Sequence, residues 1–342
     1  MKLGIITPHY YPLMRGNAVT VRRIEKNLAN AGVEVAVYSL DAMTAEEIGS
    51  EVDAARPELI HAFHGHSGGR VAYRLKEQYG IPYVITLTGT DIYEAIIDHR
   101  REETFRALNG AAGLVVFHES VRDRLLNHLS QLEANTVVIP QGVELPEEPC
   151  RRAREFPFSS DSFSFLLPAG LRPVKNVLFP LGPLAALHDQ YPRIRLILAG
   201  PVLDPAYAAQ VMDSLEGYPF AHYLGGIGHD EMGCLYNKAE VVLNTSIFEG
   251  GMANSILEAL AYGKAVLAAD IEGNRSLIAD GKTGFLYQNE RQFLQKAEQL
   301  VCRPDMRAAF GAAGRTLARE RFAPEKEIAG YLQLYQGVLR QR

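Results

Sequence analysis

The chain has 342 residues, enough for two domains with separate cores, and its 47% hydrophobic and 22% charged residues are the balance of a globular protein. A formal net charge of −5 argues against a nucleic-acid binder that draws its affinity from neutralising phosphates. Cys150, Cys234 and Cys302 are too few and too irregularly spaced for a metal framework, so reduced thiols are expected, and no apolar run reaches the roughly 18 residues of a membrane span.

The first segment, Met1 to Pro8, is too short an apolar run for a signal peptide and reads as a strand over Leu3 to Ile6, which predicts a cytoplasmic protein. A loop from His9 to Asn17 leads into an amphipathic helix with Val21, Ile24, Leu28 and Ala31 on one face and Gly32 as its stop. Val35 to Tyr38 is the next strand, so the chain opens on the strand–helix–strand unit of a parallel, doubly wound sheet. Leu59 to Phe63, a helix over Arg70 to Tyr79, Tyr83 to Leu87, Leu114 to Phe117, a helix from Ser120 and Val137 to Pro140 continue it. This first domain runs over residues 1–145.

Between Glu144 and Ser162 the rhythm breaks into prolines, acidic residues, the run Arg151-Arg152-Ala153-Arg154 and serines, which marks 146–162 as a linker. A second α/β series fills 163–323, with strands at Phe163 to Leu167, Arg193 to Ala199, His222 to Leu224, Val241 to Asn244 and Ala265 to Ala268. The last helix, 324–342, carries Ile328, Leu332, Leu334, Tyr335 and Val338 as an apolar stripe and is assigned to the first domain. Two doubly wound domains in sequence place a ligand in the cleft between them, at the carboxyl ends of strands.

The chemistry gathers in the second domain. The strand Val241 to Asn244 runs into Phe248-Glu249-Gly250-Gly251-Met252-Ala253-Asn254-Ser255, where Asn254 or Ser255 can cap a helix carrying Ile256, Leu257, Leu260 and Ala261. Amides at that helix start make an anion site, and the carboxylates Glu249 and Glu258 beside it suit sugar hydroxyls. Gly170-Leu171-Arg172-Pro173-Val174-Lys175-Asn176 follows another strand: Gly170 allows close backbone approach, Arg172 offers a fork for phosphate oxygens, and Lys175 adds a second positive charge. Two cations and two carboxylates match the two parts of a sugar nucleotide.

These motifs, with Leu196-Ile-Leu-Ala-Gly-Pro201, Tyr223-Leu-Gly225-Gly-Ile and Asp280-Gly-Lys-Thr-Gly-Phe-Leu286, resemble the donor domain of GT-B-fold retaining glycosyltransferases of the family 4 type. Gly16-Asn17, His61-Ala-Phe-His64, Thr86-Leu-Thr-Gly-Thr-Asp91 and Ile139-Pro-Gln-Gly-Val143 extend the likeness over nearly the whole chain. The resemblance implies two Rossmann-like α/β domains facing a cleft, with the C-terminal helix returning to the first. It implies diphosphate binding by Arg172 and Lys175, with Gly16, Asn17, Gly170 and Gly225 near the donor. Glu258 would take ribose hydroxyls, Glu249 the transferred sugar, and amides of Gly250, Gly251, Met252, Ala253 and Asn254 the oxygens between. It implies no metal and no separate cofactor, a UDP-linked donor, and front-face attack without a protein nucleophile.

Two positions depart from the family pattern. Eight residues separate Glu249 from Glu258, one more than the pattern has, so the glycine pair is expected to bulge and keep Glu249 in reach. Thr88 stands where a histidine is common. On the acceptor side, Asp91 either orients an acceptor hydroxyl or caps the following helix, and His118 either meets phosphate or moves a proton, or is a helix-entry residue. Arg15, Arg22, Arg23 and Lys26 read as a solvated basic helix face, with peripheral contact to an anionic membrane as the less favoured account.

The acceptor is open: a small molecule, a glycan or a lipid-linked group. Segments Arg15 to Thr20, Leu87 to Tyr93 and Leu171 to Lys175 are similar to selenosugar synthases, which would imply a small phosphorylated acceptor. Asp270 to Ser276 is similar to the glycosyltransferase 1 domain-containing subgroup. A non-catalytic sugar-nucleotide binder is the third reading, supported by the altered glutamate spacing alone.

Overall fold

A computed structural model describes residues 1–10, 16–89, 91, 101–144 and 161–341. They divide into two units, Met1–Gly142 with Ala323–Arg342, and Val143–Phe322. The basic run at 151–154, most of the expected linker, Arg15 and Cys150 lie outside the described residues.

Unit one holds β1 (Lys2–Thr7), α1 (Gly16–Asn30), β2 (Glu34–Ser39), α2 (Ala45–Ala55), β3 (Leu59–Phe63), α3 (Gly69–Tyr79), β4 (Tyr83–Thr86), α4 (Arg101–Gly110), β5 (Gly113–Val116), α5 (Glu119–His128) and β6 (Thr136–Val138). Unit two holds β7 (Phe163–Pro168), α6 (Leu181–Gln190), β8 (Ile194–Ala199), α7 (Pro205–Leu215), β9 (Ala221–Tyr223), α8 (His229–Lys238), β10 (Val241–Asn244), α9 (Asn254–Ala261), β11 (Ala265–Ala269), α10 (Glu272–Arg275), β12 (Phe285–Tyr287), α11 (Glu290–Cys302) and α12 (Pro304–Arg321). The chain closes with α13 (Pro324–Arg340), which belongs to unit one.

Each unit has one six-stranded parallel sheet, ordered β2-β1-β3-β4-β5-β6 and β12-β11-β10-β7-β8-β9. Parallel strands covered on both faces need apolar side chains in both directions, and β10 is accordingly buried at all four positions. In unit two the order reverses between β7 and β10, where Val241 pairs with Phe165 and Val242 with Leu166. Ligands of such sheets bind at that reversal, outside the carboxyl ends of the strands.

Helices α2, α4, α11 and α12 and strand β12 lie in stretches to which sequence reasoning assigns no helix or strand of their own. In α2 only Ile48 and Val52 are buried, so its apolar period is thin, and a capping box between Thr44 and Glu47 marks its start. Strand β12 has three residues, too few for a period to show.

Helix α13 supplies what unit one lacks on one face. Ile328, Tyr331, Tyr335 and Val338 share a core with Leu3, Ile5, Val21, Ile24, Leu28 and Phe63. Its polar side is buried too: Arg23 Nε and Nη2 donate to Glu327 Oε2 and Oε1, each at 2.9 Å. Arg23 therefore corrects the expected basic face. It is 7% exposed and bound to α13, while Arg22 and Lys26 stay exposed. A residue 304 positions away made it a core cation, which no local pattern shows.

Beside that pair, Tyr335 OH and His61 Nδ1 are bonded at 2.7 Å, His61 Nε2 and Thr86 Oγ1 at 2.7 Å, and Thr86 Oγ1 and Tyr331 OH at 3.1 Å. Burial lowers the His61 pKa to about 3, so the ring is neutral and joins hydroxyls instead of pairing with a carboxylate. Cys234 is disulfide-bonded, which corrects the expected reduced thiol, because pairing depends on where the chain brings sulfurs together and not on spacing. Cys302 is free and exposed.

Candidate functional site

Two loops leave the carboxyl ends of the neighbouring strands β7 and β10. The first rises through Gly170 and Arg172 into a 3-10 turn over Pro173–Lys175 and ends on Asn176 with φ 48°. The second runs from Thr245 to Ala253. Thr245 Oγ1 donates to the Lys175 carbonyl at 2.9 Å, and Ile247 N to the Val174 carbonyl at 3.0 Å. These bonds hold the loops side by side, so a cation from one faces a carboxylate from the other.

That pair is Lys175 and Glu249. Lys175 Nζ contacts Glu249 Oε1, with the side chains 18% and 14% exposed. Ser246 Oγ also donates to Oε1 at 2.7 Å, and Asn244 Nδ2 at 3.4 Å. Oε2 accepts no hydrogen bond from any described residue. Burial pushes the Glu249 carboxyl up, but the Lys175 charge and the bonds from Lys175, Ser246 and Asn244 outweigh it and hold it below the usual range. A cavity of about 10 Å³, room for one water, lies beside the pair between Leu167, Ala169, Lys175, Asn244 and Ser246.

The extra residue before Glu258 is thus absorbed with Glu249 still turned inward. Bends at Gly250 and Gly251 take it up, and neither glycine uses a positive φ. Instead the turn lies against α10: a Cβ on Gly273 would stand 2.7 Å from Glu249 Cβ and 2.5 Å from the Gly251 carbonyl oxygen. The room for the turn is therefore made by a glycine elsewhere in the chain.

Helix α9 starts one residue from where a cap is expected. Ala253 holds the N-cap position with no side-chain cap bond, and Asn254 is the first helical residue. This corrects the expected capping by Asn254 or Ser255. Met252 and Ala253 have buried side chains, so only their backbone can face a ligand. Glu258, in the second turn, accepts at Oε2 from the Tyr236 hydroxyl at 2.7 Å. Burial and the neighbouring Glu258 charge raise the Tyr236 pKa well above the usual phenol, so it stays a donor. Stacking on Tyr262, at 5.2 Å between centroids, fixes its ring.

The other expected residues divide by unit. Arg172 is exposed and makes no ion pair among the described residues. Gly170 is held close: a Cβ there would be 2.6 Å from Leu203 Cδ1, so its lack of a side chain serves packing at the end of β7. Gly225 has φ 77°, and its carbonyl accepts from Gly200 N at 2.8 Å.

In unit one, Gly16 opens α1, and Asn17 Nδ2 donates to Thr7 Oγ1 at 3.0 Å. His118 is the N-cap of α5, its Nδ1 accepting from Ser120 N at 3.2 Å, which is the helix-entry reading. Asp91 is 2% exposed and accepts from the amides of Gly65 at 2.7 Å, Thr88 at 3.1 Å and Gly89 at 2.7 Å. It ties the ends of β3 and β4 together, a role that neither expectation for it describes.

Sequence reasoning missed Asn244, Ser246, Gly273, Asn274 and Tyr236. One local signal was present: Asn244-Thr245-Ser246 is a polar triplet at the carboxyl end of an otherwise apolar strand. A second hollow, about 300 Å³, lies near Asn237, Lys264 and Arg307. Two of its cations are already used: Lys264 Nζ donates to the Asn237 carbonyl at 2.8 Å, and Arg307 Nη1 contacts the Leu300 carbonyl, both near helix ends. Among the described residues no group of three His, Cys, Asp or Glu is placed to hold a metal, and no helix is long and apolar enough to cross a membrane.

Residues 163–303 match the family model described as glycosyl transferases group 1, and residues 41–147 that of glycosyltransferase family 4. The sequence is 24% identical over 308 residues to glycosyltransferase 1 domain-containing protein 1 of Xenopus tropicalis, covering 85% of this chain and 86% of that protein. Sucrose-phosphate synthase from Thermosynechococcus elongatus is similar in structure at TM-score 0.86 and 19% identity, covering 100% of both chains. HepE from Anabaena, solved in complex with UDP and glucose, is similar at TM-score 0.80 and 16% identity, covering 98% of this chain and 100% of that one.

Proposed function

For a chain that belongs, through both of its halves, to the GT-B-fold glycosyltransferases, we propose that the reaction is retaining transfer of a hexose from a UDP-sugar to an acceptor hydroxyl, without a metal. The observation that carries this reading is the Lys175–Glu249 pair at the β7–β10 reversal, with the start of α9 and Glu258 directly behind it in the chain.

In this reading Arg172, Lys175 and the amides at the start of α9 hold the diphosphate and take up the charge that develops when its bond to the sugar breaks. Glu258, positioned by Tyr236, accepts from the ribose hydroxyls. Glu249 accepts a sugar hydroxyl at Oε2, the oxygen that its protein donors leave. The acceptor oxygen attacks the anomeric carbon on the face that the phosphate leaves, and its proton passes to the departing phosphate oxygen. UDP as the nucleotide draws support from the HepE complexes with UDP, UDP and glucose, and UDP-glucose.

The test is release of nucleoside diphosphate from a panel of UDP-, GDP- and ADP-hexoses. Slow hydrolysis of a UDP-hexose without added metal, unchanged by EDTA, is the expected result. Tight UDP binding with no turnover of any donor would overturn transfer in favour of a sugar-nucleotide binder.

A further inference from the structure

We infer that Gly273 and Asn274 are a positioning pair that sets the Glu249 carboxylate for its sugar hydroxyl, Asn274 acting through Asn244. The inference rests on the sugar-facing role of Glu249 proposed above and adds two residues, on α10, that touch neither Lys175 nor the start of α9 through any hydrogen bond.

Asn274 is 0% exposed. Its Nδ2 donates to the Ala269 carbonyl at 2.9 Å, which anchors the amide to the end of β11, and to Asn244 Oδ1 at 3.2 Å, at the end of β10. Asn244 Oδ1 accepts a second bond from Ser246 N at 3.1 Å. An amide can face its neighbours in two ways, and two donors on one side select the way that puts oxygen there. The Asn244 Nδ2 is then forced toward Glu249 Oε1, to which it donates at 3.4 Å. Turned over, the same amide would set its oxygen against a carboxylate oxygen, which is repulsive. Asn274, with Ser246 N, thus sets at one remove that Asn244 presents a donor.

Gly273 does the complementary task on the main chain. Any side chain there would meet Glu249 Cβ and the Gly251 carbonyl oxygen, so the turn carrying Glu249 keeps its place only against a bare backbone. The pair therefore fixes both the stem and the head of Glu249: Gly273 the backbone, Asn274 the face of the amide that holds Oε1. With Oε1 engaged by Lys175, Ser246 and Asn244, the geometry reserves Oε2 for the ligand.

The experiment compares UDP-glucose with UDP, two ligands that differ by the sugar, using calorimetric titration of the full chain and of Asn274→Ala and Gly273→Ala. A positioning role predicts that the affinity for UDP-glucose falls about tenfold, the worth of one hydrogen bond to a charged group, while that for UDP holds within about twofold. Loss of general structure would weaken both ligands together. In whichever variant is folded by circular dichroism, equal weakening of both ligands, or no weakening of either, overturns the inference. Unaltered chain that binds neither ligand would overturn the donor reading itself and this inference with it.

Discussion

Glu327 and Glu249 are both carboxylates turned inward onto a cation, and the contrast between them separates a structural pair from the one proposed to bind the donor. Glu327, 2% exposed, gives both oxygens to Arg23 in a bidentate fork. Around it the hydroxyls and ring nitrogens of His61, Thr86, Tyr331 and Tyr335 are likewise paired with one another. Both oxygens of Glu327 are thus engaged by the protein itself. Glu249 gives Oε1 to three protein donors, while Oε2 accepts from none of the described residues. In the proposed reading lysine suits that position because a point charge can shift from carboxylate to phosphate, whereas a planar fork is committed to its partner. The saturated buried charge serves stability, and the half-saturated one at a strand end is where the proposed site lies.

The largest effect is expected where the saturated pair is broken. Arg23→Ala leaves Glu327 as a buried, uncompensated charge and should cost about 3–5 kcal/mol in chemical denaturation, with donor affinity in surviving folded protein unchanged. Replacing both partners, as Arg23→Met with Glu327→Leu, should recover most of that loss. A double variant as unstable as the single one would deny that charge burial is what separates the two regions.

Next in size is the half-saturated pair. Lys175→Ala should lower donor turnover about 10²–10³-fold, as for other groups that stabilise a leaving anion, with a smaller loss of stability than Arg23→Ala because Ser246 and Asn244 still donate to Glu249. Equal loss of stability in Lys175→Ala and Arg23→Ala, read from denaturation midpoints, would erase the contrast.

The smallest effect is in acid. His61 has its folded pKa lowered by burial to about 3, below the unfolded value near 6.5. The folded state therefore binds fewer protons than the unfolded chain in that window, and stability falls as the pH drops from 6.5, by at most about 1.4 kcal/mol per pH unit. His61→Gln should remove this part of the acid sensitivity, leaving the carboxylates to act lower down. Parallel stability curves for the two proteins between pH 6.5 and 4.5 would refute the assignment. Glu249 contributes in the same direction but lower: its depressed pKa makes its contribution present above about 4.5 and lost as the pH falls through the folded value.

The apolar runs that became β1, β3, β10 and β11 were legible because a parallel strand buried on both faces is apolar throughout, and such runs stand out between polar loops. Their alternation with helices carried the α/β class with them, and motif order carried the glycosyltransferase family. Lys175 and Glu249 were legible because they lie in the loops that follow strand ends, and Glu258 because it lies one turn inside the helix that follows. Tyr236 was not, since the turn that aims its hydroxyl at Glu258 spans 22 positions. Nor were the exchange of Arg23 from surface to core and the packing of the glutamate turn on Gly273.

What the sequence alone determined is therefore the local part: which stretches are strands, which loops follow them, and which charges those loops carry. Tertiary structure decided which of those charges meet and how completely each is satisfied. Arg23 finds Glu327 across 304 positions and Asn274 finds Asn244 across 30. Periodicity and capping act within a few residues along the chain, while desolvation and hydrogen-bond saturation depend on neighbours that only folding brings together.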